Sequence, residues 1–200
     1  MGNQHDLRVQ RTELFIKNAF LHLLDEQPFE KIQVNDIAQR AMINRSTFYL
    51  HYRDKYDLLE QLKAQMIRDI GGFTDSLTRE MVLVCRQEHT PLPHLLALLA
   101  YVETLPAFFR LVADNDPSFY RRIGQPAQQK IAELFPELQN DALPPAYGEA
   151  ILTSLLRCVI EQWISRDLKE PKEDVALLLT QIILADKLAL YQLSSAAPQA

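Results

Sequence analysis

Apolar residues recur at intervals of three and four along nearly the whole chain, the spacing that marks one face of an α-helix. Phe15, Ala19 and Leu23 form one such stripe beside Ile16, Phe20 and Leu24, which predicts a helix from about Arg8 to Asp25. Gln27-Pro28 should end it, because proline lacks a backbone donor and restricts the residue before it. Val34, Ile37, Ala38 and Ala41 then mark a short second helix, weakly capped by Gln33 but with Asp36 well placed in its first turn. After the turn Met42-Ile43-Asn44, Asn44 is a good N-cap, with Ile43 in staple position to Phe48. Phe48 and Tyr52 share one face of the helix that follows. A further helix begins near Asp54, another cap residue, and continues through Leu58, Leu59, Leu62, Met66 and Ile67, with Gly71-Gly72 as a kink or an end. Long helical stretches follow, and the prolines at Pro91-Leu92-Pro93, Pro106, Pro117, Pro126, Pro136 and Pro144-Pro145 are expected to break them. The expectation is an all-α chain in a short and a longer part.

Composition narrows this picture. Five glycines in 200 residues leave little material for sheet turns or glycine-built phosphate loops. The two cysteines, Cys85 and Cys158, exclude a disulfide framework and fit a reducing compartment. Cys85, His89 and His94 have only a loose metal-like spacing interrupted by prolines, so no metal or cofactor is expected. The N-terminus is polar and no apolar run is long enough for a signal peptide or a span, so the expected location is the cytoplasm. No nucleophile elbow, Walker loop or HExxH is present, and an enzyme is not expected.

A formal charge of −5 rules out a uniformly basic nucleic-acid coat but not a local patch. Residues 1–56 hold eight basic and seven acidic side chains, so the acidity lies in the rest of the chain. Between residues 40 and 55, Arg40, Arg45, Arg53 and Lys55 face the single acid Asp54. Two short helices joined by a tight turn over residues 34–52 have the dimensions of a helix-turn-helix, whose second helix enters the major groove. With Phe48 and Tyr52 buried, the face left over carries Ser46, Thr47, Tyr49 and Leu50. Lys55 sits in the first turn of its helix, where the dipole disfavours a cation and a phosphate would be welcome; taken alone, a solvated lysine is the alternative.

Residues 34–55, VNDIAQRAMINRSTFYLHYRDK, resemble the helix-turn-helix of the tetracycline-repressor (TetR/AcrR) family, and the resemblance extends over roughly residues 8–60. The residues that carry it are Ile37-Ala38, Asn44, Thr47, Phe48, Tyr49, Tyr52 and Lys55. The resemblance implies that Arg45 and Ser46 lie nearest the base edges, where arginine addresses guanine bidentately. It implies phosphate contacts for Asn44, Thr47, Tyr49, His51 and Lys55, which set register without reading sequence. Leu50, outward on the helical wheel, is a candidate for a thymine methyl. Two residues depart from the family pattern. Met42 stands where the turn usually has glycine, so positive φ is not expected there, and Gln33 replaces the usual Thr or Ser cap, which puts a phosphate contact there in doubt.

The implied organisation is a three-helix DNA-binding domain over residues 8–56, a helical effector-binding and dimerisation domain over 57–193, and a flexible tail over 194–200. A dimer needs a surface, and the helices predicted over Ala146–Ser165 and Lys172–Leu193 are apolar on nearly all sides, naming Ile151, Leu155, Val159, Val175, Leu179, Ile182 and Ile183 as interface candidates. A plain monomeric core is the alternative. In the family the large domain encloses a small-molecule pocket; Tyr101, Phe108, Phe109, Phe119 and Trp163 are candidate walls, although aromatics at helical spacing are more often packing. The expected function is a sequence-specific, homodimeric regulator of transcription, a repressor released from double-stranded DNA with a palindromic operator by an unknown effector. An accessory factor of the same fold, working through a protein partner, is the alternative.

Overall fold

The computed structural model describes residues 2–116, 118–136 and 145–195, and among these the only regular structure is helical. The elements are α1 (Gly2–Glu26), a 3-10 turn (Phe29–Lys31), α2 (Val34–Arg40), α3 (Arg45–His51), α4 (Lys55–Asp75), α5 (Arg79–Gln87), α6 (Pro93–Thr104), α7 (Pro106–Asn115), α8 (Ser118–Leu134), α9 (Pro145–Ser165) and α10 (Lys172–Ser195). No single helix among the described residues is long and apolar enough to cross a membrane.

The chain divides into two compact units, Met1–Met66 with Ala107–Leu111, and Ile67–Pro106 with Val112–Ala200. In the first, α1 packs on α2 and α2 on α3. Ile16 and Phe20 of α1, Ile37 of α2, Phe48 of α3 and Leu58 of α4 are all fully buried, each at the position the apolar spacing marks. The change of charge at residue 56 falls in the first turn of α4, not at a break in the chain, because Asp54 caps a helix that runs on to Asp75. Gly71 and Gly72 sit inside that helix without ending it.

In the second unit, α10 packs on α5, α6 and α9, and α9 packs on α6 and α8. Proline positions explain two of its helix starts: Pro93 and Pro106 each open a helix, where no backbone donor is needed. The Leu92 amide ahead of α6 is caught by the buried Thr180 hydroxyl of α10 at 2.9 Å. Pro126 is a correction to the sequence reading. It lies within α8 and does not break it, since buried Phe119, Tyr120 and Ile123 on one side and Ile131 on the other hold both halves in place. The expected breaks at Pro117 and Pro144 lie outside the described residues, as do 196–200 of the expected tail; α10 continues through Ser195.

Several interface candidates also need correction. Val175 and Leu179 are buried within the chain's own core, and Ile183 lines a cavity of the second unit. Val175 and Leu179 cannot also form an outer face, whereas Ile183 is partly exposed. Ile151 is half exposed, and Leu155, Val159 and Ile182 are partly so.

His94, in the first turn of α6, is one of the few buried polar residues and sits among apolar neighbours, which depresses its pKa from 6.5 to about 4. Between those values the unfolded chain binds a proton that the native chain refuses, so stability rises with pH there. Acidification from pH 7 to pH 4 should therefore remove about 3 kcal/mol through this residue. Denaturant titrations across that range should show His94→Leu losing less stability than the wild type by about that amount; equal losses would contradict the assignment.

Candidate nucleic-acid interface

α3 has only seven residues, too few to stand alone, so its orientation is set by what it buries. Phe48 is fully buried and Tyr52 nearly so, with their rings 5.6 Å apart. This turns the opposite side outward: Leu50 is 84% and Tyr49 45% exposed, and Asn44, Arg45 and Ser46 are exposed beside them. Thr47 is half-buried. Asn44 takes the extended N-cap conformation as expected, but its side chain makes no cap hydrogen bond.

The turn before α3 corrects the expectation for Met42. Its φ is 55°, the left-handed conformation, and its side chain is 94% exposed. The Ile43 amide donates to Ala38 O at 2.9 Å and the Met42 amide to Gln39 O at 3.1 Å, the paired bonds of a Schellman ending of α2. That ending demands positive φ whatever residue occupies it, so methionine here is strained where glycine would not be. At the other end of α2, Asp36 accepts from the Gln33 amide at 2.8 Å, which compensates for the weak cap.

The four cations fare differently. Arg40 forms a two-pronged pair with Glu26 at 2.8 and 2.5 Å, and this holds the Glu26 carboxyl below its ordinary range. Arg53 lies 3.6 Å from Asp57, whose carboxylate also accepts the Arg53 amide. Lys55 is turned inward: its ammonium donates to the carbonyls of Phe29 at 2.8 Å, Ile32 at 2.9 Å and Glu30 at 3.1 Å, above the Phe29 ring. All three of its protons are occupied, so the phosphate role expected from its helix position gives way to one of tying the start of α4 to the 3-10 turn. Arg45 is the exception among the four. Its guanidinium stacks over the exposed Tyr49 ring, 5.5 Å from the centroid, and donates to the Tyr49 hydroxyl at 3.1 Å.

His51 also departs from expectation. Its Nδ1 lies 3.4 Å from Glu13 Oε1 of α1 and its side chain is 10% exposed, so it sits off the outward face that carries Tyr49 and Leu50. The Arg45–Tyr49 stack was not foreseen, although the i, i+4 spacing of a cation and an aromatic residue was visible in the sequence.

Four of the five expected pocket walls are core, and Tyr101 is partly exposed. Phe119 and Trp163 are buried, with the Trp163 indole donating to Glu170 O at 2.9 Å, and the Tyr101 hydroxyl donates to Asp69 at 2.7 Å. Phe108 and Phe109 are buried in a segment that groups with the first unit, their rings meeting edge to face. None of the five lines the cavity of the second unit. Its wall includes His94, Leu98, Gly124, Gln128, Thr153 and Leu156, and only the unexplained polarity of His94 in an apolar helix hinted at it.

A short helix presenting a polar, arginine-bearing face behind a tight turn defines a helix-turn-helix DNA-binding protein. Comparison with known proteins agrees. Residues 16–62 match the model for bacterial regulatory proteins of the tetR family, and residues 89–185 match a transcriptional regulator C-terminal region. Residues 16–62 thus carry the DNA-binding region of the tetR family of transcriptional regulators. It is 42% identical over 76 residues to the uncharacterized HTH-type transcriptional regulator YxbF of Bacillus subtilis (strain 168), a match covering 38% of this chain and 19% of that protein. Two solved structures share its fold. The dihydroxyacetone kinase operon activator DhaS has a TM-score of 0.63 at 18% identity, covering 89% of this chain and 97% of that one. A TetR transcriptional regulator from Streptococcus agalactiae 2603V has 0.61 at 24% identity, covering 92% and 99%.

Two substitutions separate the scaffold of this site from its contacts. Met42→Gly should raise the stability to denaturant by about 1 kcal/mol by relieving the left-handed strain; an unchanged or lower midpoint would contradict this. Lys55→Met should cost about 1.5–3 kcal/mol of stability through three orphaned carbonyls. The slope of log affinity against log salt on DNA should stay unchanged in the same variant, and a slope shallower by one would instead place the ammonium on a phosphate.

Proposed function

We propose that this regulator is a homodimeric repressor whose α3 helices read the two halves of a palindromic operator, and that a small molecule bound in the second unit releases it. The carrying observation is the outward face of α3, where Arg45 is stacked on Tyr49 and has no acidic partner among the described bonds while Phe48 is fully buried. Arg45 and Ser46 address base edges, and Asn44, Thr47 and Tyr49 hold phosphates. Leu50 is placed to meet a thymine methyl. Stacking restricts the Arg45 side chain before DNA arrives, which lowers the entropy lost on binding.

Dimerisation uses the apolar stripe that α9 leaves exposed, Tyr147, Ile151 and Cys158 with the partly exposed Leu155, together with Leu178 and Ile182 of α10. Two such helices from each chain make a four-helix bundle. The effector acts by binding more tightly to a dimer whose recognition helices no longer match successive major grooves, since only differential affinity shifts an equilibrium.

Selection of bound duplexes from a random pool tests this reading. The expected product is an inverted repeat with half-sites about 10 base pairs apart, bound with a steep salt dependence. Arg45→Ala should weaken the selected site by roughly tenfold to a hundredfold while leaving random DNA within a factor of about two. Ile151→Glu should yield a monomer by sedimentation and lose the operator. No enriched sequence, or a monomeric wild type, would overturn the proposal.

A further inference from the structure

The cavity in the second unit has an unusual wall. About 50 Å³ of space, partly open to the surface, lies between α4, α6, α8, α9 and α10, lined mainly by aliphatic carbon from Ile70, Leu98, Ile131, Leu156 and their neighbours. By the same measure one water needs about 10–15 Å³, so the space accepts a molecule of a few heavy atoms. Among the described residues, no Asp, Glu, Lys or Arg lines it. Two polar atoms on its lining residues are buried without a hydrogen-bond partner, Nδ1 of His94 and Oγ1 of Thr153, and the Gln128 side chain is a third polar group in the wall. Native interiors rarely leave two such atoms unpaired around one space, because each loses its water without a replacement.

We propose that this cavity binds a small, uncharged aliphatic molecule carrying one hydrogen-bonding group, of the size of a short-chain alcohol, aldehyde or ketone, with that group held by His94 and Thr153. An uncharged ligand is favoured: the described residues of the wall offer no counter-charge, and an unpaired charge buried against them would cost far more than its apolar chain gains. His94 is neutral at physiological pH, its pKa being held down to about 4 by burial, and so supplies a hydrogen bond and not a charge. The proposal deepens the effector reading above and rests on it only for the step from binding to release of DNA.

Gly124 provides a clean control. A Cβ there would meet Gln128 Nε2 at 3.8 Å and the Leu156 side chain at 3.9 Å, ordinary contacts with two residues of the cavity wall. Alanine also improves the helix propensity of α8, so Gly124→Ala should fold at least as well as the wild type while filling part of the space. The test uses the full chain and three probes of equal length, n-butanol, butyrate and n-butylamine, at pH 7.5. Butanol at a hundredfold excess over its Kd should raise the melting temperature by about 5 °C, with no rise from the two ions. Gly124→Ala should weaken butanol about tenfold, and Thr153→Val, which keeps the shape and loses the hydroxyl, should do likewise. Equal responses to the alcohol and either ion, no response to butanol, or undiminished binding in Gly124→Ala would overturn the proposal. Butanol binding with this selectivity but unchanged operator affinity would support the cavity assignment and overturn the effector step alone.

Discussion

The outward face of α3 depends on the burial of one ring. A helix of seven residues has no orientation of its own, and Phe48, fully enclosed with Tyr52 beside it, fixes which side of α3 looks outward. Truncating a buried phenylalanine costs about 3–5 kcal/mol, more than the individual hydrogen bonds on the opposite face are worth in water. The reading face is therefore a consequence of core packing, and the residues on it are free to vary without endangering the fold. That separation lets one scaffold carry different binding specificities.

Electrostatics in this region are divided in the same way. Four cations cluster between residues 40 and 55, yet three of them serve the protein itself. Arg40 closes on Glu26, Arg53 lies beside Asp57 with its guanidinium still exposed, and Lys55 closes on three carbonyls in and just after the 3-10 turn. Counting charges along the chain overstates what is offered to a polyanion, because a count does not see partners distant in sequence. Arg45 keeps its charge outward and is held by an aromatic surface, which restrains its position without neutralising it.

The helices and the recognition face were legible in the sequence because both follow from local periodicity: Phe48 and Tyr52 announce their burial by spacing alone. The roles of Lys55 and His51 were not, since their partners lie on the 3-10 turn 23 to 26 residues away and on α1 38 residues away. Met42 was misjudged for a different reason. The absence of glycine suggested the absence of a left-handed turn, whereas the paired Schellman bonds impose that turn and the side chain tolerates it by standing in solvent. Local helix propensity predicts a break at Pro126, while buried contacts on both sides of it in α8 outweigh a penalty of about 3 kcal/mol. The aromatic residues of the second unit drew attention as pocket walls by their size, but large rings fill space, and a cavity is found where they are not.

The second unit shows the converse relation between stability and use. Leaving His94 Nδ1 and Thr153 Oγ1 unpaired costs about 1–3 kcal/mol each, and a void lined by aliphatic side chains forfeits dispersion contacts as well. A phenylalanine at position 94 or an alanine at position 124 would remove part of that loss within the same architecture. About 2–6 kcal/mol is a large fraction of the stability of an ordinary domain, and a molecule that paired both atoms would recover part of it. The same deficit makes occupancy consequential. A ligand that satisfies both atoms lowers the free energy of whichever arrangement of α6, α8 and α9 closes around it, and that difference in affinity between arrangements is what a regulator must have if a small molecule is to move its equilibrium.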